Sequence, residues 1–473
     1  MSKREIRADF AVVGAGSAGL SFAAGAVQLG QSVVLFEQAD MGGDCLNTGC
    51  VPSKALIAAA ARAKAVRDAA RYGISAGEPE VDFAAVMDHV HGAIETIAPH
   101  DSQRRFEGLG VQVVREHAVF TGPRTLESDS VRVRFRRAVL ASGSRPTAPP
   151  IDGLNTIPFH THETIFGLRE RPERLVVLGG GPIGCELGQS FARLGSQVVI
   201  VEAGEPLGRE DPELTAAALD GLRADGVDVR TGAEVVRAEA TPGGARLHLF
   251  GGSPIEGTHL LVAAGRAPNV ENLGLEAAGI AHDARGVTVD KRLRTTNKAV
   301  YAAGDVTGRP AFTHAAGAHA SLLIRKLLFA QPADVEKLVI PRVTYTYPAV
   351  AAVGLTEPEA RQRHGGGVKA ITVHFGRNDR AVTEGETAGF AKLVTDAKGR
   401  VLGVGIVGEG ADELIAPWVL ALSSGVKLRA MAGWVPPYPT RGDVNRALAS
   451  AYYAPVLFSP RTRRLVSLLK RFS

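Results

Sequence analysis

The sequence predicts an α/β protein in which one strand–turn–helix–strand module occurs twice, followed by a third, α+β region. Three observations predict it. Gly14-Ala15-Gly16-Ser17-Ala18-Gly19 and Gly179-Gly180-Gly181-Pro182-Ile183-Gly184 are both G-x-G-x-x-G runs, each following a short apolar run. In both copies an acid, Glu37 or Glu202, lies 23 positions beyond the first glycine. From Ile340 the module pattern gives way to short runs such as Val353-Gly354-Leu355-Thr356-Glu357 and Gly389-Phe390-Ala391-Lys392-Leu393.

Taken in order, Asp9-Phe10-Ala11-Val12-Val13 reads as a buried parallel strand. The first glycine run, an alanine-rich helix and the strand Val33–Phe36 complete the module. This is the context a dinucleotide-binding turn requires. Gly14 makes the turn, Gly16 lets backbone approach a pyrophosphate, and Gly19 packs helix on strand. The helix N-terminus faces the phosphates, and Glu37 holds ribose hydroxyls.

Next comes Gly42-Gly43-Asp44-Cys45-Leu46-Asn47-Thr48-Gly49-Cys50-Val51-Pro52-Ser53-Lys54, with two of the three cysteines. In a regular helix residues five apart are roughly 8–9 Å apart at Cα. A disulfide needs about 4.4–6.8 Å, so a bonded pair requires a break between them. Asn47, Thr48 and Gly49 tolerate one. Two reduced structural cysteines are the alternative. Lys54 shares a helix face with Cys50 if helix resumes at Val51, and a cation there favours a thiolate.

A helix follows from Lys54 to about Arg71, stopped by Gly73, and a second spans Phe83 to Ile97. His89, His91 and His100 have no acid or thiol to complete a metal site and read as surface residues. Val131–Leu140 alternates Val and Arg, a half-exposed strand. Pro149 and Pro150 mark a linker. The second module runs through Arg174–Leu178, its glycine turn and Val198–Val201. Two modules argue for two dinucleotides. Glu202 would repel a 2′-phosphate and favours NADH, although Arg209 keeps NADPH open. Cys185 reads as a small core residue.

The stretch Gly42–Lys54 closely resembles the active-site motif of the class I pyridine nucleotide-disulfide oxidoreductases, which include dihydrolipoamide dehydrogenase, glutathione reductase and mercuric reductase. The resemblance runs nearly end to end. It implies FAD in the first module and NAD(P)H in the second. It implies that Cys45 exchanges with substrate, that Cys50 makes the charge-transfer contact with the flavin, and that Lys54 lies near flavin N5 in an ion pair with Glu186. Ala141-Ser142-Gly143-Ser144 is similar to the segment that closes the family's first domain. Leu261–Arg266, with Gly265, resembles its crossover, and Val300–Val306, with Gly304 and Asp305, its second FAD motif. Asp305 would meet the ribityl chain, and His314 would lie at the level of the ring. The implied domains are FAD-binding, 1–149 and 270–337; NAD(P)-binding, 150–269; and a dimerisation domain, 338–473, of strands with helices on one face. Asn378-Asp379-Arg380-Ala381 resembles the mercuric-reductase branch.

The C-terminal segment departs from the family. Lipoamide and glutathione enzymes carry a histidine–glutamate acid/base pair there; here Tyr438 and Asp443 occupy the positions. Tyrosine titrates near ~10 and histidine near ~6.5, so Tyr438 is a poor base at neutral pH. Mercuric reductases carry a C-terminal cysteine pair, but this chain has no cysteine after Cys185. Positions 459–473 mix Arg461, Arg463, Arg464, Lys470 and Arg471 with Leu465, Val466, Leu468, Leu469 and Phe472. They read as a basic amphipathic helix on a dimer surface, with contact to anionic lipid as the sharper alternative.

Composition sets the remaining bounds. The 473 residues hold several domains, and a net charge of +5 without a basic, aromatic-laced stripe argues against nucleic acid. Three cysteines exclude a disulfide-stapled secreted fold. The N-terminus leads straight into a strand, so a cytoplasmic enzyme is expected. The function expected is an NAD(P)H-dependent flavoenzyme, a homodimer passing electrons through Cys45–Cys50 to a metal ion, quinone or small disulfide. The alternatives are a dihydrolipoamide dehydrogenase with Tyr438/Asp443 as its altered acid/base pair, and a flavin-bearing redox sensor.

Overall fold

Burial along the strands follows their side-chain pattern. The strand β1 (Arg4–Val13) is partly exposed at first and buried from Phe10 onward. β2 (Val33–Phe36) is buried throughout. Added to these are β3 (Gln112–Val114), β4 (Val119–Gly122), β5 (Thr125–Glu127) and β6 (Val131–Leu140). In the computed structural model, which describes residues 3–470, the sheet order is β3–β2–β1–β6–β5–β4, and the strand Val300–Ala302 also pairs with β6. The β6 alternation of Val and Arg gives buried Val131, Val133 and Phe135 between partly or fully exposed arginines.

The chain divides into two compact units: Met1–Ala203 with Ala233–Leu338, and Gly204–Gly232 with Val339–Ser473. The first unit holds both glycine turns. Helix α1 (Ser17–Gln28) follows the first of them. The helix expected from Lys54 to Arg71 starts earlier: α3 (Cys50–Asp68), preceded by the short α2 (Gly43–Asn47). A single 3-10 turn, Ala69–Tyr72, ends it at Gly73. The helix Phe83–Ile97 forms as expected, its N-cap Asp82 accepting from the Ala85 N–H at 3.0 Å. In the second module Arg174–Leu178 pairs in parallel with Gln197–Val201 and with His259–Val262. Ser144–Pro146 and Arg266–Pro268 pair as an antiparallel ribbon.

The second unit is built on a five-stranded antiparallel sheet. One face, with Ala391, Leu393, Val404 and Ile406, packs on the helices around Trp418. The Trp418 indole donates to Asn445 at 2.8 Å, which satisfies its buried N–H. Helices were expected on that face alone. Helix Pro212–Ala224 corrects this: a side chain on Gly405, which pairs with Lys392 on the opposite face, would collide with Leu214. Helix Pro212–Ala224, placed by the sequence inside 150–269, therefore covers the sheet's second face. No described helix is long and apolar enough to cross a membrane.

Candidate active site

The two glycine turns are built alike. A Cβ on Gly19 would lie 1.9 Å from the Gly14 carbonyl oxygen, and one on Gly184 2.0 Å from that of Gly179. Each third glycine is required by the approach of helix to turn. The acids repeat too: Glu37 accepts from the Ala15 N–H and Glu202 from the Gly180 N–H, both at 2.7 Å. Gly16 and Gly181 have no atom nearer than 4.0 Å to an added Cβ, so the middle of each turn is open. An open, glycine-lined helix N-terminus followed by an anchored acid fits a dinucleotide.

The first turn adjoins the cysteine loop. Gly43 has φ +61°, and a Cβ there would meet Gly16 Cα at 2.8 Å. Helix breaks between the sulfurs as a bondable pair requires: α2 ends at Asn47, and Gly49 takes φ −115°, ψ −107° before α3 starts. Both cysteines are free thiols here. Cys45 is half-buried and Cys50 exposed. Cys50 opens α3 and meets Thr313 Oγ1 at 3.3 Å. The thiols share a hydrogen bond that splits them: it drives Cys45 far up and Cys50 down. Burial opposes the drop at Cys50, while Thr313 and Lys54 reinforce it. Lys54 Nζ pairs with Glu186 at 2.9 Å.

Three side chains that sequence reasoning passed over brace this loop. Asp44 lies 2.8 Å from Arg266 and 3.1 Å from His162, and accepts from Thr48 at 2.6 Å. Burial pushes its carboxyl up, but His162 and Arg266 outweigh it and hold the group well below the usual carboxylate range. Arg266 also donates to Ser144 Oγ at 2.9 Å, and Ser144 to Asp305 at 2.6 Å. One arginine thus joins the cysteine loop to the Gly304-Asp305 segment. Asp44 by itself would disfavour both thiolates. Arg266→Met is therefore expected to shift the alkylation–pH midpoint of the reduced thiols upward by about one unit, a change of ~1.4 kcal/mol. An unmoved midpoint would remove this role. The missed signal was a charged residue inside a motif of small residues, which demands a partner.

The remaining candidates are placed as follows. Ser142 Oγ donates to the Asn269 carbonyl at 2.8 Å, and the Gly143 carbonyl accepts from the Asn269 N–H at 3.0 Å. Gly265 precedes the ribbon. The Gly304 N–H donates to buried His319, whose imidazole burial pulls down to about 4. His314 is exposed and stacks on Phe312. Cys185 is fully buried, its thiol pushed up to about 12 by desolvation. In the second unit Tyr438 and Asp443 do not pair: Tyr438 donates to Asp379 at 2.8 Å, and Asp443 holds Arg446 at 2.9 Å. The bond to Asp379 raises the phenol further from neutrality.

Comparison with known proteins fits this geometry. Residues 8–320 match the model of the pyridine nucleotide-disulphide oxidoreductases, and 340–448 match the dimerisation domain of the same family. The chain belongs to the pyridine nucleotide-disulphide oxidoreductase family. Among its relatives in that family, a mercuric reductase from Streptomyces lividans is 34% identical over 95% of this chain and 97% of its own. A dihydrolipoyl dehydrogenase from Bacillus subtilis (strain 168) is 33% identical over 94% and 96%. The solved HOCl-induced flavoprotein disulfide reductase RclA from Escherichia coli superposes with a TM-score of 0.85 at 27% identity, covering 93% of this chain and 99% of its own. The family is FAD-dependent and uses pyridine nucleotides, and its dimerisation domain supports a homodimer.

Proposed function

We propose that this flavin disulfide oxidoreductase passes electrons from NADH to the Cys45–Cys50 disulfide and on to a metal ion, a quinone or a small disulfide. Bound FAD would supply the two-electron link between nicotinamide and disulfide, held by the first glycine turn, Glu37 and Asp305. The placement of Cys50 carries the reading: it opens α3, lies 3.3 Å from Thr313 Oγ1 and sits one turn before Lys54. One hydride brings two electrons and one proton. NADH and a disulfide therefore yield NAD+, one thiol and one thiolate, with no further proton. The pair is shaped for that product: Cys45 keeps the proton, and Cys50 holds the charge beside Thr313 and Lys54. Thiolate attack on an acceptor then starts from Cys45 once a base or the acceptor itself removes its proton.

Reduction of lipoamide is the second reading. It needs a neutral-pH acid/base, and the Tyr438 proton is committed to Asp379. Anaerobic NADH titration of the holoenzyme, followed by acceptor assays, tests the proposal. One equivalent of NADH should produce a long-wavelength thiolate–flavin band, and NADH should outperform NADPH because Glu202 disfavours a 2′-phosphate. Bleaching without the band would point to a flavin-only sensor. Lipoamide turnover equal to dye turnover would favour the second reading.

We place the enzyme in the cytoplasm. Helix Pro460–Leu469 has no buried residue; Arg471 and Phe472 lie outside the described residues. If it touches anionic lipid, a chain ending at residue 458 should lose vesicle binding. Equal binding would leave it as a dimer-surface helix.

A further inference from the structure

We propose that the first unit carries a second anion site, away from both glycine turns, that binds a compact oligophosphate. A cleft of about 300 Å³ is lined by Phe10, Arg136, Arg137, Arg292, Arg294, Tyr301, Lys326 and Leu327. Phe10 pairs in register with Arg137, four residues before Gly14. At ~3.3 Å per residue that is some 13 Å from the glycine turn.

Charge in the cleft is unbalanced. Five cations face two carboxylates, and both carboxylates are already engaged. Asp9 lies 3.4 Å from Arg136 but also holds the Ser32 N–H and hydroxyl. Asp290 lies 3.4 Å from Arg294, while its other oxygen accepts the backbone N–H groups of Arg292 and Arg294. Among the described residues, Arg137, Arg292 and Lys326 have no carboxylate partner, and Arg137 and Lys326 are half-buried. Desolvating unpaired cations side by side is costly unless an anion joins them. The floor is low in dielectric, with Phe10 and Tyr301 buried, which strengthens the field above it.

The backbone points the same way. Leu293, fully buried, sits at φ +61°, a conformation costly for a branched side chain. That turn sends the arginines on both sides of it into one cleft. A bridge from Arg294 to Tyr301 pins it to the sheet. Guanidinium forks match phosphate oxygens in pairs. Three or more forks and an ammonium call for more than one phosphate group, and the volume admits a di- or triphosphate.

Calorimetric titration of tripolyphosphate into the FAD-loaded dimer, with NAD+ saturating so that both glycine turns are filled, tests the site. Wild type should bind saturably, at least tenfold more tightly than orthophosphate, with an affinity that falls as salt rises. Arg137→Ala/Arg292→Ala should weaken binding at least tenfold while flavin content and reduction by NADH are unchanged. Arg292→Gln, at an exposed position, should weaken it severalfold even if the double variant misfolds. Arg363→Ala, outside the cleft, should have no effect. Absent binding by wild type, or equal affinity in wild type and Arg292→Gln, would overturn the proposal. ADP binding as tightly as pyrophosphate would mean that only phosphates are read, and tighter binding that a nucleoside extends from the cleft.

Discussion

Cys50→Ala should abolish the long-wavelength band produced by NADH and lower turnover of any disulfide-dependent acceptor by at least about a hundredfold, the low end for a positioned reacting group. Flavin reduction itself should survive. The expectation rests on the charge at Cys50. Its sulfur opens α3, accepts a hydrogen bond from Cys45, touches Thr313 at 3.3 Å, and feels Lys54 one turn on. In the wild-type enzyme the band should therefore persist below ~8.5, where an ordinary thiol would be protonated, and fade only as pH falls through the lowered Cys50 value. Lys54→Met withdraws one stabiliser, so its band should fade at a higher pH. The same variant leaves Glu186, with a side chain only 7% exposed, without its ammonium partner, so it should also lose stability. Spectral titration with pH separates the effects, because lost stability alone does not move the midpoint. If Cys50→Ala kept the band, the thiolate would have to lie elsewhere.

Local features were legible in the sequence. The helix Phe83–Ile97 and the strand Val131–Leu140 end where expected because capping by Asp82 and the alternation of Val and Arg are properties of neighbouring residues. The break between Cys45 and Cys50 follows from helix geometry and the residues between them. The Lys54–Glu186 pair came from resemblance alone, since 132 residues separate the partners. What sequence could not show were contacts carried by the chain's return: His162 and Arg266 on Asp44, Thr313 on Cys50, and Asp379 on Tyr438. None has a local period or spacing. Helix Pro212–Ala224 has ordinary amphipathic spacing, and nothing local says which sheet its apolar face will cover.

That helix brings the second large effect. Lys392→Met should lower stability of the second unit by about 3–5 kcal/mol, as expected when one partner of a buried charge cluster is removed. Lys392 sits mid-strand with its side chain only 4% exposed, within 3.0 Å of Asp211, 2.7 Å of Glu357 and 3.3 Å of Glu213. Asp211 caps helix Pro212–Ala224 and also accepts the Glu357 N–H at the start of helix Glu357–His364. One ammonium thus holds two helix starts against one sheet face. Burial alone would pull Lys392 down, but its bonds to Glu357 and Asp211 outweigh this and raise it. Burial would likewise push Glu357 up, but Lys392 and Arg361 hold it low. The signs follow. The raised lysine contributes fully below its ordinary value near ~10.4 and is lost as pH rises through its folded value. The lowered glutamate contributes above ~4.3 and is lost as pH falls through its folded value. Between these limits the cluster's contribution is flat. Without the ammonium Glu357 titrates higher, so the variant has less of this contribution to lose as pH falls, and its deficit against wild type should narrow on the acid side. With roughly 2–4 °C per kcal/mol for a unit of 150–250 residues, calorimetry should show a fall in Tm of about 10 °C at pH 7. Adding Asp211→Asn and Glu357→Gln should recover much of it, because the uncompensated charges go too. An unchanged Tm in Lys392→Met would mean that water reaches these carboxylates and that the two helices are held by apolar packing instead.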